Sequence, residues 1–141
     1  QRLQPLLNLS KLQEMVSVIV LNDRQELKKE KIDEWELGLR PNNRLIGNYR
    51  DAEYAIFKER LNPIAMGHVD LLYTRQTANS LFVHKGNESG SFTFGMNDTH
   101  NLIGRYGIDI MGLNQGRFDY RQKNIYLKLL VQTIKSSYKI A

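Results

Sequence analysis

His68, His84 and His100 are the only histidines of the sequence, and they are its natural candidates for metal ligation or proton transfer near neutral pH. None stands in an H-x-x-x-H or H-E-x-x-H arrangement that would put two ligands on one helical face. His68 and Asp70 are spaced so that both would share one face of a strand, where they are either a metal pair or two polar groups at a strand start. His84 lies beside Lys85 in an expected hairpin strand, an ordinary setting for a partly exposed imidazole. Asp98 and His100 open a short helix, and capping accounts for Asp98 without catalysis.

Gly104 and Gly107, in Ile103-Gly104-Arg105-Tyr106-Gly107, outline a phosphate loop but lack the following Lys-Ser/Thr and the preceding buried strand. Acids cluster after Asp23, in a stretch that a solvated helix face explains without acid–base chemistry. Cysteine is absent, which removes disulfides, thiolate zinc sites and cysteine nucleophiles and fits a reducing interior. With no nucleophile, base and orienter at credible spacing, the sequence predicts no catalytic residues, no metal and no cofactor.

The elements that would position these residues follow from periodicity. From Asn8 to Glu36 there is no Pro or Gly, and Leu9, Leu12, Val16, Ile19, Val20 and Leu27 recur at helical spacing. Gly38 is the expected C-cap and Pro41 a stop, so one helix of about 28 residues, about 42 Å long, should end near Trp35 or Leu37. Its second half loses the apolar stripe after Leu27 while keeping good helix formers, so Leu27, Ile32, Trp35 and Leu37 are read as an interface with a partner.

Residues 40 to 49 read as an ordered loop, followed by a short helix capped by Asp51 and stopped by Pro63. Val69 to Tyr73 is β-prone, and Thr74 to Ser80 is a loop or one turn of helix. Leu81 to His84 and Ser91 to Phe94 form a hairpin about a turn containing Gly86 and Gly90. Asp98 caps a short helix with Leu102, Ile103 and Tyr106, ended by Gly107. Asn114 opens a last helix whose Phe118, Tyr126, Leu127, Leu130, Val131, Ile134 and Tyr138 repeat at three and four and should pack inward.

The expected class is therefore α+β in one domain: a long N-terminal helix (1–37) and a C-terminal helix (114–139) packed on a small antiparallel β-sheet (66–96). The length of 141 residues and the 41% hydrophobic and 25% charged composition suit one globular core. The longest early apolar run, Val18 to Leu21, is far short of a membrane span, so no membrane partner is expected. The first residue is Gln1 rather than Met, so the chain is processed, trimmed or cut from a longer product.

The net charge of +5 comes from the second half, because residues 1 to 70 carry 11 Lys/Arg against 11 Asp/Glu. Arg117, Arg121, Lys123, Lys128, Lys135 and Lys139 give the last helix a basic surface able to meet DNA phosphates non-specifically.

Two segments carry a resemblance to a known class: Val69-Asp70-Leu71-Leu72-Tyr73-Thr74 with Ser80-Leu81-Phe82-Val83, and Tyr106-Gly107-Ile108-Asp109-Ile110-Met111-Gly112-Leu113. They resemble small neck proteins of tailed bacteriophages, the head–tail joining and tail-completion class. The stretch Gly38-Leu39-Arg40-Pro41 to Ile46-Gly47-Asn48-Tyr49 is similar to one in such proteins of Bacteroidetes phages. Arg75 stands where that pattern has Gly, and Ala78 where it has Leu or Phe; Arg75 there predicts a different turn.

The resemblance implies the same α+β architecture and a non-enzymatic virion subunit. It would form a homo-oligomeric ring between portal and tail, touching portal and other neck or tail proteins, with basic residues facing packaged DNA. A small basic nucleic-acid-binding protein using the C-terminal helix is the alternative. A metal-dependent hydrolase around His68, Asp70 and His100 is the third reading.

Overall fold

The first helix begins where Asn8, with extended backbone, accepts the Lys11 backbone N–H on its side chain at 2.9 Å. In the computed structural model, which describes residues 8–72, 75–88 and 91–138, helix α1 spans Leu9–Asn22 and α2 spans Arg24–Glu36. Between them Asp23 leaves helical geometry, with φ −92° and ψ 7°. The single long helix expected over 1–37 is thus two. Asn22 and Asp23 are poor helix formers, and the Asp23 carboxylate is held by Arg121 and Tyr126 of the C-terminal segment.

Gly38 ends α2 as expected. It has φ +71°, and a Cβ there would stand 2.9 Å from the Val69 carbonyl oxygen, so both conformation and space favour glycine. The loop that follows is pinned by Ile46 N–H to Gly38 O and Val69 N–H to Gly47 O, each at 2.9 Å. Asp51 then caps α3 (Ala52–Leu61), accepting from Glu53 N–H, and Pro63 opens a 3-10 turn over Pro63–Ala65.

Val69 to Leu72 is not a strand. Its backbone is irregular and buried, because the Asp70 carboxylate turns inward and takes the Leu72 N–H at 3.1 Å, a local bond that competes with a ladder. Tyr73 and Thr74, the end of that expected strand, lie outside the described residues. Arg75 itself adopts the left-handed conformation, φ 58°, ahead of α4 (Gln76–Ser80), so the turn that glycine would favour is made with arginine.

The hairpin forms as read, with β1 (Phe82–Lys85) antiparallel to β2 (Phe92–Gly95) and Val83 opposite Phe94, both buried. The sheet among the described residues is confined to these strands rather than spreading over 66–96. Helix α5 (Leu102–Tyr106) follows, with Leu102 and Ile103 N–H groups bonded to the Asp98 carboxylate, and then a 3-10 turn, Ile108–Met111.

Asn114 caps the last helical stretch, accepting the Arg117 N–H at 3.1 Å. It runs as α6 (Gln115–Arg121), one π-helical turn (Gln122–Tyr126) and α7 (Leu127–Tyr138). The wide turn has a structural reason: residues five apart diverge by about 140° on an α-helix, whereas a π-turn brings them toward one face. It lets Arg121 and Tyr126 both reach Asp23.

One core joins these elements, built from Ile19 and Val20 of α1, Leu27 and Trp35 of α2, Ile46, Val69, Leu71, Leu72, Leu81, Val83, Phe94, Leu102, Ile110 and Tyr126. The architecture is α+β, mostly helical, with a two-stranded antiparallel sheet.

Candidate functional site

The residues singled out for chemistry are dispersed. Asp70 is buried, receiving Lys58 Nζ at 2.7 Å and Asn62 Nδ2 at 2.9 Å, whereas His68 places Nδ1 2.5 Å from Asn48 Oδ1. The two have different partners. His84 meets Thr93 across the hairpin, and Asp98 is engaged with the start of α5. Among the described residues no group of three His, Cys, Asp or Glu side chains is placed to hold a metal ion.

The buried Lys58–Asp70 pair borders an open cleft of about 850 Å³ that also takes in Tyr49, Arg50, His100 and Arg105. Burial, and then the charge of Asp70, raises the Tyr49 phenol above its ordinary range, so it stays neutral. The cleft thus joins Asp70 and His100, although Asp70 already has its partners in Lys58, Asn62 and the Leu72 N–H.

The interface read on α2 needs correcting. Leu27 and Trp35 are each 0% exposed and belong to this chain's own core, Ile32 packs against it, and Leu37 is 37% exposed at the helix end. The Trp35 indole N–H donates to Ile110 O at 3.1 Å.

The inward face of α2 continues past Leu27 as Lys31, Glu34 and Trp35, at i+4, i+7 and i+8. Its two central positions are charged and paired, with Lys31 Nζ 2.9 Å from Glu34 Oε2, and both are buried. Lys31 also donates to Gly112 O, and Glu34 accepts the Asn114 N–H. Burial pulls the Lys31 ammonium below its ordinary range, opposed by the Glu34 charge. An apolar periodicity count misses this stripe because half of it is an ion pair.

The basic surface divides in two. Arg121 is buried and grips Asp23 through Nε and Nη2, both at 2.6 Å, while Arg117 pairs with Glu30. These two arginines serve the fold. Hydrogen bonding to Asp23 raises the Arg121 guanidinium above its ordinary range, against burial, and burial with the hydrogen bond to Asp23 raises the Tyr126 phenol. Lys123, Lys128 and Lys135 are exposed, with no ion pair among the described residues; Lys139 lies outside them.

The C-terminal apolar stripe is only half covered. Helix α7 packs along α1, yet none of its residues is fully buried. Leu130 and Ile134 are half-buried, while Leu127 and Val131, expected inside, are 56% and 43% exposed. The one helix α1 cannot span the whole stripe. An apolar groove of about 290 Å³ remains between them, lined by Val16, Ile19, Val20, Phe118, Leu127 and Leu130.

Helical spacing brackets the open residues with charge: Lys123 precedes Leu127 by four, and Lys128 and Lys135 flank Val131 at three and four. On α3 and the turn after it Ile56, Leu61, Ile64 and Met66 are each more than half exposed, with Ile56 and Leu61 on different faces of the helix. Comparison with family models, curated proteins and solved structures finds no match to this chain.

Proposed function

We propose that this chain is a non-enzymatic assembly subunit that associates with copies of itself through the open face of α7, as a ring component of a bacteriophage neck between portal and tail. The observation that carries the assembly reading is the unburied apolar stripe of α7, in a molecule whose α2 is locked inward by paired charges. Contiguous exposed apolar surface rimmed by polar groups is the mark of an interaction site. The resemblance in the 69–83 and 106–113 segments supplies the virion context.

Full burial of such a side chain is worth about 1.5–3 kcal/mol, and Leu127 and Val131, already about half covered, would contribute about half of that each. Association costs about 4–15 kcal/mol in lost freedom, so these two residues alone do not hold a subunit and the contact has to extend beyond them. The nucleic-acid reading is weakened at its strongest residues, because Arg117 and Arg121 neutralise Glu30 and Asp23 rather than facing solvent freely.

The test is the native mass of the full chain across concentration, by light scattering and sedimentation, with rings sought by electron microscopy. Wild type should assemble, and Val131→Glu should stay monomeric with an unchanged circular dichroism spectrum. A wild-type chain that remains a monomer up to its solubility limit refutes the assembly reading. Portal and capsid genes beside its own would support the neck assignment, and their absence would count against it.

A further inference from the structure

We infer that the partner of the open α7 face is the α3 face of a second copy of this chain, giving a head-to-tail rather than a two-fold contact. This rests on the self-assembly proposed above and names the surface that completes it. Pairing α7 with α7 would bring Lys123, Lys128 and Lys135 against the same three lysines, with no carboxylate between residues 122 and 138 to relieve them. Like charges set face to face oppose docking. The complementary surface should therefore be apolar and acidic.

The α3 region answers to that description. Ile56, Leu61, Ile64 and Met66 are exposed there at 52%, 56%, 54% and 70%. Over residues 51 to 66 the exposed charges are the carboxylates Asp51, Glu53 and Glu59 against Arg60, since Lys58 is buried and paired with Asp70. Glu53 lies one turn before Ile56, and Glu59 and Arg60 lie one turn after it, so this face carries two acids against one base and Glu53 can meet a lysine of α7 while Ile56 meets Leu127 or Val131. Two different patches on one subunit form a heterologous contact, which propagates and closes into a ring when its rotation permits. A reciprocal two-fold contact of α7 with α3 would stop at a dimer, so a wild type that grows no larger than a dimer overturns the head-to-tail assignment.

The experiment uses full-length chains blocked on one side each. Val131→Glu blocks α7 and leaves α3 intact; Ile56→Lys blocks α3 and leaves α7 intact. Head-to-tail contact predicts that each variant alone needs at least tenfold more protein to assemble. Mixed one to one, they should form a heterodimer and nothing larger.

If Ile56→Lys assembles like wild type while Val131→Glu does not, the α3 assignment is overturned and self-assembly through α7 stands. If wild type itself never assembles, both fall. Circular dichroism of each variant checks folding, and an exposed pair provides a second route. Glu53→Lys and Lys128→Glu should each weaken assembly, and the doubly reversed chain should recover it; a double variant no better than the singles overturns the proposed pairing.

Discussion

Replacing Trp35 by alanine separates a core residue from an interface residue. The side chain is fully buried among its own chain's residues, and its indole N–H is bonded to Ile110 O at 3.1 Å. Emptying a buried tryptophan site costs about 3–5 kcal/mol, and a buried carbonyl that loses its donor about 1–3 kcal/mol. The two overlap in part, so a loss of about 4–6 kcal/mol is expected, set against about 5–15 kcal/mol for a typical domain.

Trp35→Phe keeps most of the volume and loses mainly the N–H bond, so it should cost about 1–3 kcal/mol. Urea denaturation followed by circular dichroism, at a concentration where the chain is monomeric, measures both. The order should be wild type, then Phe, then Ala. An alanine variant within about 1 kcal/mol of wild type that nevertheless assembles poorly would refute this reasoning and return α2 to the role of interface.

Asp23→Asn should destabilise by about 3 kcal/mol, because it leaves the buried Arg121 guanidinium with only the more distant Glu30 carboxylate, 3.9 Å away. Glu30→Gln, at a pair whose side chains are 26–30% exposed, should cost under about 1 kcal/mol, and equal losses in the two variants would contradict this division. The Tyr126 phenol, raised above its ordinary 10.0 by burial and Asp23, keeps in the folded state a proton that the unfolded chain releases. Its contribution is therefore present below about pH 10 and lost as pH rises toward the folded value. The stability gap between wild type and Tyr126→Phe should shrink in urea titrations above about pH 10, while the opposite, alkaline-strengthening trend of Lys31 is common to both proteins and cancels.

What the sequence made legible were local signals. Asn8, Asp51 and Asn114 cap helices, Asp98 bonds the first turn of α5, Gly38 closes α2, and the hairpin pairs about its glycine-containing turn. Each depends on neighbours a few residues away. What it hid were contacts between remote residues. The polar run after Leu27 reads as a solvated face until Gly112 and Asn114 arrive to satisfy Lys31 and Glu34. Asp23 likewise ends a helix for reasons that lie at Arg121 and Tyr126. The stripe of α7 is apolar by its spacing, but periodicity says only that a face seeks cover and not whether the cover belongs to the same molecule. Half of the cover is α1, and the rest of the stripe is where the candidate interface lies.

The bonds that seat α2 also set an order of events in making the protein. Trp35 closes on Ile110, Glu34 on Asn114, and Asp23 on Arg121 and Tyr126, partners separated by 75, 80, 98 and 103 positions along the chain. During synthesis the first hundred residues emerge with α2's charged face unanswered and its tryptophan uncovered. Loop closure over such distances is slow, and surface left open during the wait invites premature association. A growing chain of this kind therefore completes its core only when the stretch through Tyr126 has left the ribosome, so the residues that close the core are made just before the half-covered stripe of α7. Truncation before Tyr126 should be more damaging than loss of a tail, because it removes a core residue that helps to clasp Asp23.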